Sequence, residues 1–347
     1  MFRTKTVFVL GAGASAEVGL PVGSQLLQQI IDLTHITYDF HRMKSGDYVI
    51  SEALKLILDE GGEVQLYNEH LHAARQLGES AKQALSIDNV IEALEDEKTE
   101  LIGKLGIVRA ILQAESASEF FRHENNQYDR INLDQFNETW YSFFSKLLTE
   151  NVKKSGIGEI FENLEIINFN YDRCLEKYLP FSIGNYYGIP PNEIWGLVKK
   201  LPIHRPYGIA GRLPWQDGEI PSVEFGTGNA EQLANVAKQI RTFTERIEEE
   251  KALESIKKCI SDADRIVFLG FAFHRQNVEL ISSQVKQNVE ILGTSHKISE
   301  SDQNVIRKEL CKAFCYEDGA NLANIHVELV DSTCRSLFEN YWRTLTA

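Results

Sequence analysis

The sequence predicts an α/β protein built on a doubly wound, mostly parallel sheet, with a block of helices inserted after its first strand. Three observations carry that expectation. Five short apolar runs, at residues 6–10, 164–169, 265–269, 289–292 and 325–329, are rich in β-branched or aromatic residues and give way to polar residues or glycine. Long stretches with helical spacing separate them, which is the pattern of βαβ units. The first run breaks directly into Gly11-Ala12-Gly13-Ala14-Ser15, the kind of tight turn that carries a strand into a helix.

Taken in order, "SQLLQQIIDL" places Leu26, Leu27, Ile30 and Ile31 at helical spacing, with Ser24 as the expected N-cap. About 125 residues with little strand character then precede the next clear strand, far more than an ordinary connection, so they must hold structure of their own. Within them "SIDNVIEALEDEKTELIGKLGIVRAILQ" reads as one long helix capped by Ser86 or Asp88. "FNETWYSFFSKLL" aligns Phe136, Trp140, Phe143, Phe144, Leu147 and Leu148 on one helical face. The expected division is a sheet domain from residues 1–34 and 161–347, with 35–160 as a helical insert packed over the active-site side. At the C-terminus, "SLFENYWRTL" carries an apolar stripe of Leu337, Phe338, Tyr341, Trp342 and Leu345, suited to core packing or to a contact surface.

With 347 residues and 43% hydrophobic content, the chain can bury a large core. No apolar run approaches the roughly 20 residues that span a bilayer, and the start "MFRTKT" leads into a strand, which points to a cytoplasmic protein without membrane contact. A net charge of −14 argues against an extensive nucleic-acid surface, which needs clustered Lys and Arg. The five cysteines are scattered, as suits reduced thiols. Cys311 and Cys315, four apart in "LCKAFC", read as two small apolar side chains on one helix face, and no zinc module is expected. His70 and His72, two apart on a helix, face different directions and do not form a metal pair.

Ligands of open α/β sheets bind beyond the carboxyl ends of the strands, so the residues after each apolar run are the first candidates. They are Gly11 to Ser15, Asn170 and Asp172, His204 after the short "LPI" run, Gly270 to His274, and Gly293 with Thr294. Gly11 and Gly13 would let backbone amides approach a pyrophosphate, in a G-x-G-x-x-A arrangement. A dehydrogenase would need an acid-bearing second strand soon after the helix, and "HITYDF" with Asp39 comes late. A P-loop kinase would need Gly-Lys-Ser/Thr, which is missing. Pro21 ends the first helical turn early and brings a loop over the site. Asn170 and Asp172 could hold ribose hydroxyls and a water, or could close a turn and cap the helix that follows. His204 offers an imidazole suited to accepting a proton near neutral pH.

Together these motifs resemble the sirtuin-like, NAD-consuming domains of bacterial antiphage systems. "GAGASAEVGLP" is similar to that family's Gly-Ala-Gly-x-Ser loop with its following Gly-x-Pro. "FNYD" resembles its Asn-x-Asp motif, "HRPYG" its catalytic-histidine segment, and "FLGFAFHRQN" its late glycine strand. The chain departs from deacylase sirtuins in having Gly-Leu-Pro-Val-Gly-Ser after the loop and in lacking their four-cysteine zinc module.

The resemblance implies a sirtuin-type Rossmann-like fold and an NAD+ hydrolase that releases nicotinamide and ADP-ribose, with NAD+ as substrate and no metal. It implies Asn170 and His204 as the catalytic pair. Gly11, Ala12, Gly13, Ala14, Ser15 and Pro21 would lie around the pyrophosphate. Asp172 and His274 would hold ribose hydroxyls, with Gly270 and Phe271 near the ribose, Gly293 and Thr294 on the adenosine side, and Tyr207 also among the NAD+-binding residues. Because unchecked NAD+ hydrolysis kills the host, the resemblance further implies activation through a homo-oligomer or a separately encoded regulator. A HerA-type ATPase, an Argonaute-like protein or a nucleotide-sensing subunit would serve, in abortive-infection defence. Two alternatives stand beside it: a non-catalytic NAD or ADP-ribose sensor, and an NAD-dependent deacylase.

Overall fold

Five consecutive buried residues, Thr-Val-Phe-Val-Leu, make β1 (Thr6–Leu10) the axis of the molecule. A strand buried on both faces reads as a continuous apolar run, which is why it was legible. The computed structural model describes residues 1–40, 42–58, 64–121, 132–242, 250–314 and 325–347.

After β1 come α1 (Ala12–Ala16) and α2 (Gly23–Thr34), then a hairpin of β2 (Thr37–Asp39) and β3 (Arg42–Ser45). The helices α3 (Tyr48–Leu58), α4 (Val64–Ala81), α5 (Ile87–Leu94), α6 (Glu97–Ala117) and α7 (Trp140–Thr149) follow. The chain returns to the sheet with β4 (Leu164–Asn168), α8 (Cys174–Tyr187), α9 (Pro191–Val198) and β5 (Ile203–His204). It continues through α10 (Ala230–Ala237), α11 (Glu250–Ser261), β6 (Arg265–Leu269) and α12 (Arg275–Leu280). It ends with β7 (Glu290–Thr294), α13 (Glu300–Phe314), β8 (His326–Val330) and α14 (Cys334–Thr346).

The sheet is six-stranded and parallel in every pair, in the order β5-β4-β1-β6-β7-β8. Residues on alternate faces of the strands feed two cores. Val7, Val9, Ile167, Ile266 and Phe268 pack with Leu27, Ile30, Leu77, Ile102 and Ile260. Phe8, Leu10, Ile166, Val267 and Leu269 pack with Trp140, Phe144, Leu175, Leu179 and Phe338. The helices of 35–160 are therefore built into both outer layers: α4 and α6 lie with the first core, α7 with the second. Helix α6 is buried on nearly all sides, which explains its weak amphipathicity. The C-terminal stripe is divided, with Leu337, Phe338 and Leu345 in the core and Trp342 exposed.

Several local expectations are corrected. The long helix breaks between α5 and α6: Glu95 takes a left-handed conformation (φ 47°), and the Asp96 carboxylate accepts the Thr99 amide, starting a new helix. Ser86 does cap α5, through the Asn89 amide. Ser24 lies inside α2, whose entry is held by Val22 N–H donating to the Gln25 side chain. Phe169 falls just past β4, and β7 runs on to Thr294. The β2–β3 hairpin has no apolar run to announce it, and β5 pairs over two residues only. Cys311 is half-buried on α13, and Cys315 lies outside the described residues. Among the described residues, no helix is long and apolar enough to cross a membrane.

Counting only sheet strands in chain order, the arrangement is 3-2-1-4-5-6, the doubly wound order that is Rossmann-like in general kind. The chain winds outward from β1 through β4 to β5, then crosses back to β6. The switch point lies between β1 and β6, where the turns after the two strands meet backbone to backbone. Gly13 N–H donates to Gly270 O (2.9 Å), and Gly270 itself has φ +57°. A Cβ at Gly11 would stand 2.6 Å from Gly270 O, and one at Gly13 2.8 Å from Gly270 Cα. A Cβ at Gly270 would fall on the Ala14 amide nitrogen. Gly270→Ala is expected to lower unfolding free energy by about 2–5 kcal/mol in denaturant titration, combining left-handed strain with overpacking.

Candidate functional site

Beyond the carboxyl ends of β1 and β4, three predicted site residues form one buried hydrogen-bonded cluster centred on Ser15. Ser15 Oγ donates to Asp172 Oδ2 (2.7 Å) and accepts from Asn170 Nδ2 (3.2 Å). Asn170 Nδ2 also donates to Gly11 O (2.9 Å), joining the "NYD" segment to the glycine turn. Strand pairing brings them together, since Leu10 is in register with Asn168. Asp172 has a structural duty too, as its Oδ1 accepts the Cys174 amide at the start of α8 (3.0 Å). Burial pushes the Asp172 carboxyl above its ordinary value, against the lowering effect of the Ser15 and Cys174 hydrogen bonds and of Arg205.

An ion pair the sequence did not announce locks this segment in place. Arg173 and Glu115 are both fully buried, and the Arg173 amide and Nε each donate to Glu115 Oε1 at 3.0 Å, with Nη2 on Oε2. Arg173 Nη1 also donates to Val223 O (2.6 Å), and Glu115 Oε2 accepts the Gly226 amide (3.0 Å). One pair thus joins α6, the start of α8 and the loop leading to α10. Arg205 does similar work, donating to Asn170 O (2.7 Å) and to Glu176 Oε1 (2.5 Å). The other Glu176 oxygen is buried with no hydrogen-bond partner among the described residues. It borders a cavity of about 340 Å³ whose lining includes Ile203, Arg205, Ile209, Arg212 and Trp215.

The glycine turn is held by the protein itself. The amides of Gly11, Gly13 and Ala14 donate to Leu269 O, Gly270 O and Gly11 O, and Ala14 O accepts Trp140 Nε1 (2.6 Å). Ala12 is half-buried and Pro21 is buried. A second unannounced group, Glu17, accepts the Trp140 and Arg335 amides (both 2.8 Å), seating the starts of α7 and α14. Burial raises its carboxyl despite those bonds.

On the β6 side, Thr294 Oγ1 accepts the Gly270 amide (2.8 Å), tying β7 to the switch point. Gly293 lies within β7 opposite Phe268. Phe271 packs edge-on against Phe169, with ring centroids 5.0 Å apart, and Tyr207 also meets Phe169 while its hydroxyl donates to Asn277 Oδ1. These buried rings pack together beside the switch point. His274, at the start of α12, is exposed, and its carbonyl accepts the Asn277 amide.

His204 does not join this group. It pairs with Ile167 in the sheet, three residues before Asn170, so about 10 Å of extended chain separates the two levels. Its ring reaches back further, and Nε2 lies 3.1 Å from Glu165 Oε2. That hydrogen bond, with smaller help from Cys259 and Lys5, holds the Glu165 carboxyl down to about 2 against desolvation. In "HRPYG", then, Arg205 reaches the Asn170 carbonyl and Tyr207 reaches Phe169, while the imidazole is engaged elsewhere. Sequence reasoning placed His204 at a strand end but could not assign it to a face on a two-residue strand, and it did not single out Arg205.

Chemically, the cluster offers a buried carboxyl group raised above its ordinary value beside an amide and a hydroxyl. Both neighbouring guanidinium groups are neutralised by partners, so a phosphate would be held mainly by backbone and hydroxyl groups. Two outcomes follow. Glu115→Gln should cost about 3–5 kcal/mol in chemical denaturation, because it leaves Arg173 buried without a counter-charge. Asp172, whose folded value is raised, binds its proton more tightly in the fold, so its contribution falls as pH rises from 3.8 toward the folded value. Asp172→Asn should therefore melt above wild type at neutral pH, the difference fading below about pH 4.

No protein-family model matches the chain, and no curated protein matches it.

Proposed function

We propose that the chain binds NAD+ in the crevice beside the β1–β6 switch point and hydrolyses its nicotinamide–ribose bond. The observation that carries this reading is the hydrogen-bonded Asn170–Ser15–Asp172 cluster at the carboxyl end of the sheet, the position where doubly wound folds take nucleotides. In NAD+ the nicotinamide is already a cationic leaving group. Its C–N bond can break with the electron pair passing to the ring nitrogen, and little acid catalysis is needed. The protein must stabilise the oxocarbenium-like ribose and place a water. Asn170 orients the ribose and that water, Ser15 holds a ribose hydroxyl, and Asp172 takes the proton as the water adds to the ribose carbon. The products are nicotinamide, ADP-ribose and a proton.

The pairing of His204 with Glu165 places the base role on Asp172 in this reading, in place of the histidine the resemblance implies. The same resemblance supports a setting in antiviral defence, with NAD+ depletion held in check by oligomerisation or by a separately encoded regulator.

One observation favours a second reading, binding without cleavage: the His204 imidazole is engaged by Glu165, away from Asn170. Purified protein incubated with NAD+, alone and with proteins co-purified from its host, separates the two. Nicotinamide release is followed by chromatography and ADP-ribose binding by calorimetry. Asn170→Ala is expected to lower release by at least about 100-fold. His204→Ala is expected to keep it within about 10-fold, less than loss of a general base costs. Saturable ADP-ribose binding without nicotinamide would establish the sensor, and absence of both would overturn the crevice as a dinucleotide site.

A further inference from the structure

Three side chains of different chemistry converge at the β5 edge of the sheet, away from the crevice. Glu165 comes from β4, His204 from β5 and Cys259 from the last turns of α11. One ligand atom from each lies within 4.8 Å of the other two, and His204 Nε2 is 3.1 Å from Glu165 Oε2. Tetrahedral Zn2+, with bonds of roughly 2.0–2.3 Å, sets its ligand atoms about 3.3–3.6 Å apart. Side-chain shifts of up to about 1 Å, shared among the three, would therefore let them close on one ion. Imidazole, thiolate and carboxylate are the three ligand types that zinc takes.

The surroundings suit such an ion. Cys259 is buried at 2% exposure, while the His204 and Glu165 side chains are each 21% exposed, leaving one side open for entry and for a water. A carboxylate and a thiolate together balance the 2+ charge. Lys5, beside Glu165 Oε1 at 3.3 Å, is itself balanced by Asp262, also at 3.3 Å. The three residues lie far apart in the chain on three separate elements, so no ligand spacing could reveal them.

We propose that Glu165, His204 and Cys259 form a zinc site, with the fourth position open to water, that fastens α11 to the β4–β5 edge. The inference is independent of the NAD+ reading, and it gives His204 a defined role outside the crevice.

The test uses the full chain, purified without chelators and with any polyhistidine tag removed. Elemental analysis by plasma mass spectrometry is expected to find an equimolar amount of zinc. Replacement by Co2+ is expected to produce a thiolate-to-metal charge-transfer band in the near ultraviolet. Cys259→Ser should abolish that band, and Cys311→Ser should leave it intact. His204→Ala should weaken Zn2+ binding by more than the roughly 10- to 100-fold that loss of an outer-shell partner costs. Should Cys259→Ser fail to fold, Glu165→Gln, which keeps the side-chain shape, should also lose zinc while its circular dichroism stays native. A wild-type chain that takes up no zinc at micromolar Zn2+, or a Co2+ spectrum that survives Cys259→Ser, overturns the site.

Discussion

The buried ion pair between Arg173 and Glu115 is the constraint on which the candidate site depends. Two opposite charges at zero exposure are tolerable only when every donor and acceptor is used, and here the pair also engages the backbone around Val223 and Gly226. Three segments distant in sequence are thereby fixed to one another: the end of α6, the "NYD" turn, and the loop that follows β5. Asp172 is the residue immediately before Arg173, so its orientation toward Ser15 follows from how Arg173 is held. A feature in the helical segment of 35–160 therefore sets geometry at the carboxyl end of β4.

The glycine turn shows how one motif can answer two demands. Gly11 and Gly13 were read as openings for a pyrophosphate, yet each is required by the near contact of the turn with Gly270. The tight crossing is what allows the turns after β1 and β6 to pass backbone to backbone at the switch point. A nucleotide approaching here meets a turn already organised by Leu269, Gly270 and Trp140. The glycines are thus accounted for by the fold, and the case for a ligand rests on the polar cluster of Ser15, Asn170 and Asp172 beside them.

His204 illustrates a different limit. On a strand of two residues, the sheet register decides which side chain enters which face, and the register belongs to the pairing with Ile166 and Ile167. A sequence motif carries no such information. Pairing with Glu165 is also favourable in itself, since the carboxylate accepts the imidazole hydrogen bond beside Lys5. The histidine is consequently drawn away from Asn170, and Arg205 takes the place next to that residue's carbonyl.

Much of the fold was legible in the chain because the inner strands β1, β4 and β6 are almost wholly buried on both faces, and continuous apolar runs mark them. The glycine turn, Asn170 and Asp172 were legible as strand-end residues, which doubly wound sheets gather at one edge. The polar β2–β3 hairpin, the break at Glu95 and the two-residue β5 were not, because each depends on local hydrogen bonds or pairing without an apolar signature. The sequence by itself determined the five apolar strands, the helical block and the residues delivered to the carboxyl ends. Only the tertiary structure decided that Ser15, Asn170 and Asp172 share hydrogen bonds, that Arg173 finds Glu115, and that His204 joins Glu165 and Cys259. Those pairings join residues dozens of positions apart, and their partners are chosen by register and burial, which arise when the layers close.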